Sequence, residues 1–224
     1  MNESVINYVN NKTVASLEAT DLVYAFDIET GGATYSHPVL SIGATVLDNK
    51  YTLLDKKKFN GFGVKDLDQE KEMALLEKRC IDEFLSQFPE VLSSSRVDET
   101  FEQAQRNMIV SFIQNRDMWQ KYADENKLKF HLVSDNAIFD GGFVNSLITK
   151  YIPDKLSLVY NYKKKYSSVK DVNDISKGLE WCKPKFLSTF KFQKCQVSHD
   201  HNCANDAHTI AHRYVNLLSI REIL

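Results

Sequence analysis

Apolar and polar positions alternate along the chain in a way that predicts strands and helices in turn. The run "DLVYAF" opens a strand over residues 21–28, and "HPVLSIGATVLD" (37–48) predicts a second. After a "DN" turn, "KYTLLDKKKF" (50–59) predicts a third, so the first three strands form an antiparallel meander. From Asp66 to about Leu92, helix formers behind an acidic first turn predict a helix, and Thr100 to about Asn126 predicts another; together they make a helical insert. The sheet resumes at "KFHLVS" (129–134). A helix starting near Ile138 can turn Phe139, Phe143, Leu147 and Ile148 to a core, and "KLSLVYNY" (155–162) predicts the fifth strand. In the last segment Ala207, Ile210, Ala211, Tyr214 and Leu218 recur at helical spacing. No repeat or Pro-, Gly- or Ser-rich linker divides the sequence. The expectation is one α/β domain, residues 1–224, with a five-stranded sheet flanked by helices.

Composition narrows the class. With 224 residues, 43% hydrophobic and 26% charged, the chain is long enough to bury a core and is neither fibrous nor disordered. No apolar run approaches the roughly 18 residues of a membrane span, and "MNESVINYVNNKTVASLEAT" lacks a basic stretch followed by an apolar one. An intracellular, cytoplasmic protein with no membrane partner is expected. The four cysteines contain no C-x-x-C, which points to reduced thiols.

Net charge is −2, which excludes coating a polyanion through bulk positive charge. The charge is unevenly spread: residues 155–194 hold ten lysines, no arginine and three acids, Asp171, Asp174 and Glu180. Within them "NYKKKY", with Lys163, Lys164 and Lys165, interleaves cations with aromatics, as a surface following a phosphate backbone does. A solvated lysine face is the alternative.

The chemistry begins where the first strand ends, at "FDIETGG". Residues two apart on a strand share a face, so Asp27 and Glu29 stand side by side, and like charges that close call for a cation. Two more acidic stations follow. In "SDNAIFDGGFV" Asp140 falls in the first turn of a helix, and in "HNCANDAHTIAHRY" His201 precedes Asp206, which opens the last helix. Oxygen donors of this kind suit Mg²⁺ or Mn²⁺ rather than a thiolate zinc site.

These stretches resemble, in order, the three motifs of the DEDDh 3′-5′ exonucleases: D-x-E-T in "AFDIETGG", H-N-A-x-F-D in "SDNAIFDGGFV", and H-x4-D-A in "HNCANDA". Similarity to phage-type exonuclease A and related small exoribonucleases is a narrower form of the same resemblance. It implies a ribonuclease H-like fold with a mixed five-stranded sheet, and two-metal hydrolysis of phosphodiester bonds. The substrate implied is single-stranded DNA or RNA with a free 3′ end, DNA being favoured and an exoribonuclease the alternative. Asp27, Glu29, Asp140 and Asp206 would hold two Mg²⁺ or Mn²⁺ ions, His201 would act as general base, and Thr30 and Asn136, with Lys163, Lys164 and Lys165, would contact substrate. One departure stands out. Asp135 occupies the place of the motif's histidine and so rivals Asp140 as the third carboxylate; F-D at the helix start favours Asp140.

Two other readings stay open. Cys182, Cys195, His199 and Cys203 are spaced C-x12-C-x3-H-x3-C, which a structural zinc ion can use. A nucleic-acid-binding module can keep this fold without the chemistry, although unused buried carboxylates disfavour the folded state.

Overall fold

The structure, a computed structural model, describes residues 19–155, 169–182, 192–198 and 200–221. Strands β1 (Asp21–Thr30), β2 (Val39–Asp48) and β3 (Leu53–Asn60) form the expected antiparallel meander. Short strands β4 (Phe62–Gly63) and β5 (Arg96–Val97) pair in a small sheet of their own. Strand β6 (Lys129–Ser134) returns parallel to β1, and β7 (Val169–Asp171) lies parallel to β6. The main sheet therefore runs β3-β2-β1-β6-β7, five strands of mixed direction with helices packed on it, as the sequence predicted. Of the fifth strand expected at 155–162, residues 156–162 lie outside the described residues; the observed fifth strand is β7.

The single helix expected from Asp66 to about Leu92 is broken into pieces. They are α1 (Gln69–Ala74), α2 (Lys78–Cys80), which continues as one π turn over Ile81–Leu85, and α3 (Pro89–Ser93). Tertiary docking overrides local propensity here. Glu77 is extended, its N–H donates to the Gly31 carbonyl (2.7 Å), and its Oε2 accepts from the Ala33 N–H (2.7 Å). Pro89, which has no N–H, begins a new helix rather than prolonging the previous one. The later helices match expectation closely: α4 (Phe101–Glu125), α5 (Ala137–Tyr151) and, at the end, α7 (Cys203–Arg221), with α6 (Val172–Cys182) between them.

Strand β1 divides the core. Leu22, Tyr24, Phe26 and Ile28 pack with Met108, Ile109 and Phe112 of α4 and Phe143 and Val144 of α5. Val23 and Ala25 face the other way, onto Ile210, Ala211, Tyr214 and Val215 of α7. The two-residue period carried two steps further puts Asp27 and Glu29 on the α7 side. Near the start of β1, neutral His131 links the layers. Its Nε2–H donates to Asp21 (2.6 Å), its Nδ1 accepts from Lys170 of β7 (2.5 Å), and burial pushes its pKa down to about 4.

The first turn of α7 can approach the sheet because β2 presents small residues to it. In register, Glu29 lies opposite Ser41 and Asp27 opposite Gly43. Ser41 Oγ contacts Cys203 Sγ (3.3 Å), and Thr45 Oγ1 donates to the Ala204 carbonyl (3.1 Å). A Cβ on Gly43 would fall 2.0 Å from the Cys203 carbonyl group, so only glycine lets the helix sit there. Gly43→Ala is therefore expected to destabilise the fold by about 2–3 kcal/mol or more, because backbone rather than a flexible side chain must move. Denaturant unfolding checks this, and a midpoint equal to wild type would contradict the seat.

Candidate active site

The acids converge where β1 and β6 end, the usual ligand end of parallel strands. Glu29, His201 and Asp206 each bring a ligand atom to within 4.8 Å of the other two, and Asp27, Asp135 and Asp140 form a second such set. The structure thus gathers Asp27, Glu29, Asp140, Asp206 and His201 from three separated stretches, and adds Asp135 beside them.

Local structure aims each side chain. Asp140 stands in the first turn of α5, buried, and accepts a hydrogen bond from Ser134 Oγ; that oxygen in turn accepts from the Asn136 N–H (3.1 Å). Asn136 caps this helix, its Oδ1 accepting from the Phe139 N–H (3.3 Å), while Asp171 of β7 accepts from the Ala137 N–H (2.9 Å). The helix carrying Asp140 is therefore tied at its start to the sheet edge. Asp206 is likewise buried in the first turn of α7, where its Oδ1 accepts from the Asp200 N–H (3.2 Å). His201 lies in the intervening loop with φ 56°, a left-handed conformation that a residue with a Cβ holds only when its surroundings enforce it. Thr30 donates from Oγ1 to the Gly32 carbonyl (2.9 Å), bracing the turn that follows β1.

Charge repulsion is written into the cluster. Burial, followed by repulsion from Asp140, Glu29, Asp206 and Asp135, holds the Asp27 carboxyl well above its ordinary pKa. Burial and then Asp206 push Glu29 up to about 8, against a partial downward pull from Lys58. Burial raises Asp140 to about 7, with its Ser134 hydrogen bond opposing. Two adjoining donor sets, rich in carboxylate oxygen and strained by mutual repulsion, fit hard divalent cations.

Sequence reasoning missed the wall of the site. A cleft of about 310 Å³ runs from Glu29 and Thr30 to Glu77, Arg79, Phe84 and Phe139. Its far side is the broken helical insert, which approaches because Gly31 and Gly32 have no side chains. A Cβ at Gly31 would meet Leu76 at 2.6 Å, and one at Gly32 would meet Glu77 at 2.7 Å. Lys58 on β3, opposite Gly43, was also missed; it donates to Ser94 of the insert at 2.6 Å. A lysine among "KKK" on an edge strand carries no signal of its own.

Lys163, Lys164 and Lys165 lie outside the described residues, as do His199 and the side chain of Cys182 from the zinc reading. Cys203 is buried beneath β2, and burial pushes its thiol up to about 12. No helix among the described residues is long and apolar enough to cross a membrane.

No protein-family model and no curated protein sequence matches the chain. Solved structures do. The nuclease domain of 3′hExo, a DEDDh family member bound to rAMP, is 15% identical with a TM-score of 0.50, over 91% of this chain and 94% of that one. A full-length 3′-exonuclease is 14% identical with a TM-score of 0.51, over 91% of this chain and 84% of that one. E. coli exonuclease I in complex with a dT13 oligonucleotide is 12% identical with a TM-score of 0.50; the match covers 91% of this chain but 42% of that larger protein. The ribonuclease H-like fold is thereby established.

Proposed function

We propose that the chain is a DEDDh-type 3′-5′ exonuclease that hydrolyses single-stranded nucleic acid with two Mg²⁺ or Mn²⁺ ions. The observation that carries this reading is the convergence of four motif carboxylates and a histidine, from three separated stretches, into two adjoining ligand sets. The fold neighbours support it by being 3′-exonucleases.

Asp27, Glu29 and Asp206 would hold one ion, and Asp27 and Asp140, with Asp135 alongside, the other. Bound there, such ions supply positive charge to the scissile phosphate and lower the pKa of water toward neutrality. The protein's own groups do the rest. His201, beside Glu29 and Asp206, takes the proton from the attacking water, a role suited to imidazole near neutral pH. Thr30 and the turn it braces wall the pocket for the terminal nucleotide, with Phe139 on the facing helix. Asn136 acts through its helix cap, by fixing the start of α5 and so the direction of Asp140.

Both sugars are represented among the neighbours' bound molecules, rAMP in one and dT13 in another. DNA remains the favoured substrate and RNA the alternative, since the 2′-OH is sensed by pocket shape rather than by the acids. The test is incubation with matched 5′-labelled DNA and RNA single strands in Mg²⁺, in Mn²⁺ and in EDTA. A ladder shortening from the 3′ end, abolished by EDTA and restored by either metal, is expected. Undegraded strands under every metal condition would leave the chain a binding module and end this proposal.

A further inference from the structure

Phe84 and Phe88, from the helical insert, pack against the His201 ring. The Phe88 ring centroid lies 4.1 Å from that of His201, inclined at 52°, and the Phe84 ring meets it nearly edge-on at 5.1 Å and 83°. The two phenylalanines also touch each other, at 5.4 Å. Phe84 belongs to the π turn Ile81–Leu85, and Phe88 directly precedes α3. Behind them Leu76, Leu85 and Val91 are buried with Leu40 of β2 and Phe62 of β4, so the aromatic pair rests on a packed base. The same insert is bonded through Glu77 to the turn after β1. The same stretch of the insert therefore reaches both the Asp27–Glu29 strand end and the histidine.

We infer that Phe84 and Phe88 are positioning residues for His201, clamping its imidazole over the Glu29–Asp206 side of the site. The inference rests on the proposed function, in which His201 is the base. A histidine in a left-handed loop backbone does not lie on a helix or strand that would set its side chain, and the two aromatic rings packed against the imidazole, one inclined and one edge-on, restrict it. Base catalysis depends on orientation, and a misplacement of about 1 Å can lower a rate by about 10²-fold. The insert's function is then to complete the base, beyond enclosing the cleft.

Phe88 is the residue to test, because Phe84 also lines the cleft and can touch substrate. Phe88→Leu keeps apolar volume beneath the insert and removes the ring. It is expected to lower kcat about 10- to 100-fold, with KM and Mn²⁺ affinity unchanged; Phe88→Tyr, which keeps the ring, is expected to retain wild-type kcat. In a His201→Ala background Phe88→Leu should add nothing, since residues acting through one another are not additive. Losses that multiply in the double variant, or wild-type kcat in Phe88→Leu, would overturn the inference. A second readout does not need activity. In the metal-free protein the His201 ring protons should show an NMR ring-current shift that Phe88→Leu reduces and Phe88→Tyr preserves. An unshifted His201 signal would reject the clamp itself. A wild-type chain with that shift and no nuclease activity would instead reject the function and, with it, the catalytic purpose of the clamp.

Discussion

Asp27→Asn is expected to lower the hydrolysis rate by at least about 10³-fold and, in the same protein, to raise the stability of the metal-free fold at pH 8. Both effects come from one position. In the proposed mechanism Asp27 would help to hold both ions, so replacing its carboxylate by an amide, which keeps one uncharged oxygen, weakens the hold on both. Without metal, the same carboxylate is a charge held among charges. Its folded-state pKa is raised, first by burial and then by Asp140, Glu29 and Asp206. A carboxyl with a raised folded pKa favours folding while protonated, and that contribution fades as pH climbs from the unfolded to the folded value. For Glu29 the interval runs from 4.5 to about 8, and for Asp140 from 3.8 to about 7. The metal-free wild type should therefore lose stability between about pH 4 and pH 8. Asp27→Asn should recover part of it at pH 8, because one of the mutually repelling buried charges is removed. The variant should therefore show the higher Tm there, each kcal/mol recovered raising the Tm of a chain this size by about 2–4 °C. Near pH 4 the two proteins should melt together, and saturating Mg²⁺ at pH 8 should stabilise wild type more than the variant. Equal Tm values at pH 8 without metal would reject electrostatic strain at this site, whatever the activity shows.

The parts of this site written in local sequence were legible, and those written in tertiary contact were not. Asp27 and Glu29 declare a shared face through their two-residue spacing, and the strand beneath them is apolar enough to fix its place. Asp140 and Asp206 each follow a helix-start signal, so their element and turn could be read. The Asp66–Leu92 stretch misled because its helix propensity is real, yet Glu77 gives up helical backbone to bond the turn at Gly31 and Ala33. Nothing within ten residues of Glu77 encodes that partner. Phe84 and Phe88 read as ordinary apolar positions of an amphipathic helix, and only the folded chain puts them on His201. Gly43 is an intermediate case: Ser41, Gly43 and Thr45 form a small-residue row on one face of an otherwise bulky strand, a trace of the helix seated there. Strand β7, three residues long, is too short to show any period.

Asp140 and Asp135 compete for the third carboxylate, and their geometry separates them. Asp140 is 4% exposed, sits in a capped first helical turn, and is held by Ser134 Oγ. Asp135 is half-buried where β6 has ended, between that strand and the helix cap. A ligand whose direction is fixed by packing and a supporting hydrogen bond loses more when replaced than one on a less constrained segment. Asp140→Asn is accordingly expected to lower the rate at least about 10²-fold and to weaken binding of the second Mn²⁺ in calorimetric titration, leaving the first near wild type. Asp135→Asn should change the rate by less than about tenfold, the lower end of the range for residues that support a metal site from behind. It also removes one of the charges that raise the Asp140 pKa, so the proton affinity of Asp140 should fall. Ser134→Ala isolates the support itself: Asp140 keeps its carboxylate and loses its restraint, and the rate should lie between those of wild type and Asp140→Asn. If Asp135→Asn proves the more damaging replacement in both rate and Mn²⁺ titration, the ligand is the residue in the motif's histidine position, and Asp140 serves as a buried brace.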